Sequence, residues 1–234
     1  MMEEAAQVSG FQKMPTSTKP DFWRQLDFVT PRDLTFPITI IGSGGIGSPT
    51  ALLLSKMGCS DLTIMDFDSV EAHNFPNQMF RLKDLGRPKA EALAEIVEDA
   101  TGVKPEAKVE RFEDQALLGV VIVCVDNMAT RQKVWQKVRL NIRVPLFIDA
   151  RMGGMIAQVF ALNPCLPDEM RGYEGLLFTD EEAVEIPCTA QAIIYNTFMI
   201  AAIIGAIIKS HAKQEALPVE GIVKSVDMTT LRLY

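Results

Sequence analysis

Four short clusters hold the residue types from which phosphate and metal chemistry is built. Gly42-Ser-Gly-Gly-Ile-Gly47 follows the β-branched run Ile38–Ile41 and precedes a stretch with helical spacing from Ser48 onward. A glycine turn between a buried strand and a helix lets the main chain approach a ligand closely. The first helical N–H groups and the positive end of the helix dipole then face a phosphate. Gly42, Gly44, Gly45 and Gly47 are therefore candidates for a nucleotide cradle. About twenty residues on, the apolar run Leu62–Met65 ends in Asp66-Phe-Asp68, and an acidic group at that strand end is placed to bind a ribose hydroxyl. On an extended chain Asp66 and Asp68 point the same way and Phe67 the other, so the second carboxylate is free to serve a metal or hold the loop.

Lys89 follows Gly86-Arg-Pro88 at the start of a helical pattern. A cation there opposes the helix dipole, and a phosphate bound nearby removes the penalty. Asp126 ends the continuously apolar run 120–125, which reads as a central parallel strand. Ligands of open α/β sheets sit at such strand ends, and Mg2+ prefers carboxylate and phosphate oxygens, so Asp126 is the metal candidate. The plainer reading of the same residue is a cap for the helix that follows.

The elements that must position these groups are legible as alternating short apolar runs and helical stretches. Strands are expected at 38–41, 62–65, 107–112, 120–125, 146–150 and 155–162, and helices at 46–57, 89–100, 128–141 and 190–208. Residues 21–28 read as helical, 151–154 as a turn, 163–187 as one long loop, and 221–228 and 229–234 as two closing strands. Residues 1–20 are polar and read as a flexible arm, leaving 21–234 as a single domain. The fold class expected is α/β: a Rossmann-like, mostly parallel sheet flanked by helices, with an antiparallel extension in the C-terminal part.

Composition narrows the partners. With 23 basic against 30 acidic residues the net charge is −7, which argues against nucleic acid, whose non-specific binding rests on clustered positive charge. The four cysteines, Cys59, Cys124, Cys165 and Cys188, form no CxxC pair, and Met1-Met-Glu-Glu lacks a basic region followed by an apolar one. That pattern leads to an expectation of a reducing cytoplasm. The apolar stretch 190–208 contains Gln191, Asn196 and Thr197 and is expected in a core or a dimer interface rather than in a membrane.

Taken in order, GSGGIG, DFD, Asn74…Gln78, Gly86…Lys89 and Cys124-Val-Asp126-Asn127 resemble the ThiF/MoeB family, the catalytic core of ubiquitin-activating enzymes. The resemblance runs from Trp23 to the C-terminus. It implies Mg-ATP-dependent adenylation of the C-terminal carboxylate of a ubiquitin-like or sulfur-carrier protein ending in Gly-Gly, with release of pyrophosphate, by a homodimer. It implies nucleotide contacts from Asn74 and Gln78, and an arginine, here Arg24 in Trp23-Arg24-Gln25, that reaches into the neighbouring subunit's site. Pro187-Cys188-Thr189 resembles the segment that bears a thioester cysteine, although some purely adenylating relatives keep a structural cysteine there. At a helix N-terminus the Cys188 thiol would be acidified. Many bacterial relatives hold zinc on two CxxC pairs; with Cys165 standing alone no zinc is expected.

One position departs from the pattern. Asn77 stands where the family carries the arginine that contacts the ATP phosphates, so either Arg81 or Arg87 rebuilds the site or activity is weakened. An NAD-dependent oxidoreductase shares the glycine turn but needs neither Lys89 nor Asp126. A relative that adenylates a small molecule or a tRNA base shares the ATP residues, though the charge of −7 counts against tRNA. A dimeric scaffold without turnover is the reading that Asn77 favours.

Overall fold

The computed structural model describes residues 20–178, 193–216, 223–227 and 232–233. Its centre is β1 (Ile38–Ile41), a four-residue strand whose Ile38, Ile40 and Ile41 are buried. On one side β1 pairs in parallel with β2 (Leu62–Met65), which pairs with β3 (Glu106–Lys108); on the other it pairs with β4 (Val120–Val123), which pairs with β5 (Leu146–Gly153). Beyond β5 the sheet turns antiparallel through β6 (Ile156–Leu162), β7 (Val223–Asp227) and β8 (Arg232–Leu233). The order is thus β3-β2-β1-β4-β5-β6-β7-β8, with five parallel strands first and an antiparallel end, as the class expected.

Alternation along the strands splits the core in two. Ile38, Ile40, Ile64, Ile122 and Ile148 face a cluster completed by α1 (Gly47–Met57), α2 (Lys89–Thr101) and α5 (Ile194–Ala212). Ile41, Met65, Val121, Val123 and Phe147 face the opposite cluster, completed by α3 (Met128–Val138) and α4 (Pro167–Glu174). Each fully buried branched aliphatic here contributes roughly 1.5–3 kcal/mol relative to exposure. The second cluster is aromatic at its heart: Trp135 lies 4.8 Å from the Tyr173 ring and 5.6 Å from Phe147.

α5 packs along α1, and Gly205 makes the approach possible. A Cβ built there would meet Leu53 Cδ2 at 2.7 Å, so a side chain must displace Leu53 or separate the helices. α5 is the one helix among the described residues that is long and apolar enough to cross a membrane by composition. Ile200, Ile204, Ile207 and Ile208 are nevertheless wholly buried in the core, while Tyr195, Phe198 and Met199 are exposed along its other face. That is a core helix with an apolar outer stripe.

Several boundaries differ from the sequence expectation, each for a local reason. Residues 163–187 are not one loop, because α4 forms within them, opened by Pro167 with Asp168 and Glu169 in its first turn. Those are helix-start signals that the surrounding prolines and glycines obscure. The turn expected at 151–154 is instead the end of β5, which stays paired with β6 from Arg151 to Gly153. Residues 21–28 give only a 3-10 turn, Trp23–Gln25. β3 stops at Lys108, whose carbonyl accepts from Asp66 N, and Phe112 turns into the second core cluster. α3 ends at Val138, close to Leu140 at φ 59°. The arm expected at 1–20 lies, but for Pro20, outside the described residues.

Candidate functional site

The glycine turn sits where β1, β2 and β4 end together. Gly42 has φ +91°, and a Cβ on it would lie 2.8 Å from the Cys124 carbonyl oxygen; one on Gly47 would lie 1.9 Å from Gly42 O. Only glycine permits the chain to fold back this tightly. Asp66, buried at the end of β2, fastens the turn: its Oδ2 accepts from Ser43 N at 2.6 Å and Ser43 Oγ at 2.8 Å, and its Oδ1 accepts from Asp68 N at 2.9 Å. Asp66 is thus first a clasp for the cradle, with lone-pair capacity left for a hydroxyl. Ser48 N and Ser48 Oγ both donate to Gly44 O, which opens α1. The N–H groups of Gly44, Gly45 and Ile46 have no acceptor among the described residues, which is the donor set a phosphate uses.

Around this turn lie the other expected groups. Lys89 begins α2, its N–H donating to Asp68 O at 2.8 Å and its Nζ lying 3.1 Å from Asp68 Oδ2. The lysine is buried while its partner is half exposed, so the pair sits at the rim of the site with the cation inward. Asp126 follows β4 and is exposed. It is not the cap of α3: Asn127 is, accepting from Thr130 N at 2.8 Å, while Asn127 Nδ2 donates to Asp126 Oδ1 at 3.1 Å. Freed from capping, the Asp126 carboxylate is open to a ligand at the carboxyl end of a parallel strand. The described residues contain no group of three or more metal-ligating side chains. One exposed carboxylate nonetheless suits Mg2+, which keeps several waters and takes its remaining ligands from substrate phosphates.

The segment 74–78 closes over the turn. Asn74 is buried and its Oδ1 accepts from Glu71 N at 2.8 Å, so the oxygen shapes its own 3-10 turn and the Nδ2 group is what is left to donate to a ligand. Gln78 Nε2 would be the nearest group to a Cβ on Gly44, at 3.9 Å, and Asn77 O lies 3.6 Å from one on Gly45. Asn77 Oδ1, Gln78 Oε1 and, at the start of α5, Asn196 Oδ1 are buried without a partner. Orphaned buried amides beside a glycine turn are places where a ligand's polar atoms complete the hydrogen bonding.

Neither arginine expected to replace the missing one is free. Arg81 donates to Asp84, Glu95 and Asp99 at 2.8–3.1 Å, and Arg87 bonds Asp84 at 2.9 Å and Glu95 at 2.7 Å. The carboxylates hold both guanidinium groups well above their ordinary range. Arg81 is therefore corrected from a phosphate ligand to the centre of an ion-pair cluster. Arg24 lies elsewhere as well. It stacks near Trp23 at 5.3 Å, and the adjacent Gln25 Nε2 donates to Met57 O at 2.6 Å, at the far end of α1 from the glycine turn. Across an 11-residue helix about 16 Å long, Arg24 cannot act in its own subunit's site. Cys188 lies outside the described residues. Cys124, directly beneath Gly42, is pushed up to about 12 by burial and is not a nucleophile.

One cluster was not anticipated. Asp149, wholly buried on β5, accepts from Arg131 of α3, from Arg151 Nε at 2.8 Å and from Tyr173 OH at 2.9 Å. Arg151 Nη2 also lies 2.7 Å from Asp149 Oδ2 without the alignment of a hydrogen bond. Burial and the adjacent Asp149 charge both push the Tyr173 phenol up. A signal existed: a lone carboxylate in the apolar strand Leu-Phe-Ile-Asp149-Ala needs buried partners.

The model of the ThiF family matches residues 34–225 of the chain. The chain is 32% identical over 165 residues to the sulfur carrier protein ThiS adenylyltransferase of Escherichia coli (strain K12), covering 67% of this chain and 64% of that protein. It is 28% identical over 141 residues to the molybdopterin-synthase adenylyltransferase of Haemophilus influenzae, covering 55% of this chain and 56% of that protein. Among solved structures, E. coli MccB with AMPCPP and MccA superposes with TM-score 0.67 at 16% identity, over 87% of this chain and 64% of that one. PaaA superposes with TM-score 0.69 at 17% identity, over 87% of this chain and 73% of that one. The chain thus spans 64% and 56% of these two curated relatives and as little as 19% of others it matches, and its fold is that of the MccB and PaaA structures.

Proposed function

The chain belongs to the ThiF family, and from that premise we propose that it adenylates the C-terminal carboxylate of a small ubiquitin-like or sulfur-carrier protein. The relatives above are named as adenylyltransferases. The observation that carries the reading is the meeting of the ends of β1, β2 and β4, which brings together the Asp66-clasped glycine turn, Lys89 at the start of α2 and Asp126, which is not engaged as a helix cap. In this reading the N–H groups of Gly44, Gly45 and Ile46 hold phosphate oxygens and Asp66 accepts from a ribose hydroxyl. Gln78, Asn77 and Asn196 complete their hydrogen bonds on the bound substrates.

A carboxylate oxygen of the partner's tail attacks the α-phosphorus, the bond to the β-phosphate bridge breaks, and pyrophosphate leaves with both electrons of that bond. The nucleophile is already ionised and needs no base, so the protein contributes positioning and charge. Asp126 would hold Mg2+, which would offset phosphate charge there. With Arg81 and Arg87 committed to carboxylates, Lys89 and the N-terminal end of α1 supply the remaining positive potential in one subunit, and Arg24 of a second copy supplies the rest. The exposed stripe Tyr195, Phe198 and Met199 on α5 supports a homodimer. Cys188 as acceptor of the activated acyl group extends the same reading, in a reducing cytoplasm where Cys59, Cys124 and Cys165 stay thiols.

Calorimetric titration with Mg-ATP, with NAD as control, followed by pyrophosphate exchange, tests this. We expect micromolar ATP binding that weakens in Asp126→Ala, with exchange lost. Undiminished exchange in that variant would overturn the metal role, and NAD binding without ATP binding would overturn the nucleotide. The neutral Asn77 beside sequestered Arg81 and Arg87 favours one other reading, a family scaffold without turnover. ATP bound with no exchange, even beside a carrier protein that ends in Gly-Gly, is its signature.

A further inference from the structure

A single buried carboxylate ties together two pieces of chain that flank the site. Beyond Asp149, its two guanidinium partners hold different segments. Arg131 donates to Val125 O, the residue immediately before Asp126. Arg151 donates to Leu176 O at 3.0 Å, past the end of α4, and its guanidinium carbon lies 5.7 Å from the centre of the Phe178 ring. Tyr173, whose hydroxyl also reaches Asp149, ends the same α4 that delivers Leu176. A second tie runs from α3 to this segment, Gln132 Nε2 to Phe178 O at 3.0 Å.

Buried ion pairs recover little more than the desolvation they cost, so stability is a weak reason for two arginines to share one buried aspartate. What such sharing does enforce is geometry. If the segment at 176–178 lifts away, Arg151 Nη1 loses its acceptor at the exposed edge of the cluster, and the guanidinium that also bonds the buried Asp149 is free to shift. Its displacement then disturbs Asp149 and, through Arg131, the carbonyl of Val125. We propose that Asp149 is a positioning residue that couples the turn bearing Asp126 to the segment 176–178, so that the two open and close together. The consequence for the site is that binding at Asp126 orders residues 176–178, and the position of those residues in turn sets the carboxylate. The last clause rests on the metal role of Asp126 given above; the coupling of the two segments does not.

Hydrogen exchange read by mass spectrometry on the full chain tests it. Arg151→Met removes the bonds to Leu176 O and to Asp149 together, leaving Arg131, Asp149 and Val125 unaltered in sequence. Coupling predicts that exchange accelerates in peptides covering both 176–178 and 125–127, each by about tenfold, the scale of losing one hydrogen bond to a charged group. Acceleration confined to 176–178 overturns the proposal. Gln132→Ala loosens 176–178 from α3 without touching Asp149, and coupling predicts that exchange at 125–127 accelerates with it; acceleration at 176–178 alone again overturns the proposal. Should Arg151→Met fail to fold, Tyr173→Phe removes one hydroxyl from the same carboxylate and is read identically. In a second arm, Mn2+ with a non-hydrolysable ATP analogue is expected to slow exchange in both segments of the wild type but only at 125–127 in Arg151→Met. If the probe protects neither segment in the wild type while Arg151→Met still opens both, the metal reading of Asp126 fails and the coupling stands.

Discussion

At the scale of single residues, the site is assembled by groups whose surroundings decide their chemistry. Asp66 shows how one side chain can combine structure and function: the carboxylate proposed above to accept from a ribose hydroxyl is also what pins Ser43 and so shapes the glycine turn. The cysteines divide in the same way. Burial pushes the Cys59 and Cys124 thiols each up to about 12, so at mildly alkaline pH almost none of either is thiolate, the form that reacts. Brief treatment of the native protein with iodoacetamide, followed by peptide mapping, is therefore expected to leave Cys59 and Cys124 unlabelled. Rapid labelling of Cys124 would mean that the glycine turn above it opens readily. Asp149 stands apart because its acidity is not its use: it organises two arginines and a tyrosine around the turn that carries Asp126.

At the scale of elements, helix spacing and loop clasps hold these residues in register. α1 presents the glycine turn, and α5 lies close against it only because position 205 has no side chain. Gly205→Leu must push Leu53 aside or separate the helices, at a cost of roughly 1–3 kcal/mol, readable as a lower midpoint in urea unfolding. An unchanged midpoint would mean that the α1–α5 contact is softer than its geometry implies. The 3-10 turn Leu82–Asp84 is bound to α2 through Arg81, Arg87, Asp84 and Glu95. Lys83 and Arg87 hold Glu95 down at about 2, against 4.5 unperturbed. Burial pushes Asp84 up, but hydrogen bonds and charge from Arg81 outweigh it and leave the group depressed. For carboxylates depressed in the folded state the stabilisation is complete above the unfolded value and is lost as pH falls through the folded one. The protein should therefore lose thermal stability progressively between about 4.5 and about 2. Arg81→Ala should lower the melting temperature at neutral pH, and its deficit against the wild type should shrink on acidification. A deficit independent of pH would assign the role of Arg81 to packing instead.

At the scale of the molecule, the sheet gathers every strand end that matters on one edge while α5 offers an apolar face outward. Tyr195, Phe198 and Met199 lie on one side of that helix and are each more than a third exposed. Contiguous apolar surface of this kind marks an interaction site. If two copies meet there, Phe198→Glu combined with Met199→Glu is expected to shift the mass measured by sedimentation equilibrium from dimer to monomer. A monomeric wild type at micromolar concentration would remove the route by which Arg24 reaches a second site.

The sequence by itself determined the elements nearest the chemistry. β1 and β2 begin and end at the expected residues, and α1 and α2 begin or end within a residue or so, because short β-branched runs and glycine stops are local signals. It also determined that Gly42, Asp66 and Asp126 follow strand ends, since strand ends are set by where apolar runs stop, and that Lys89 opens a helix. What only the tertiary structure decided is which of these groups remain free. The Asn74 oxygen is spent on its own turn, Arg81 and Arg87 on Asp84 and carboxylates of α2, and Asn127 rather than Asp126 caps α3. Arg131 of α3, Asp149 and Arg151 of β5 and Tyr173 of α4 come from three elements and meet in the folded core. Pairing between distant charges depends on three-dimensional proximity and on burial that strengthens it, and neither has a period or a spacing along the chain.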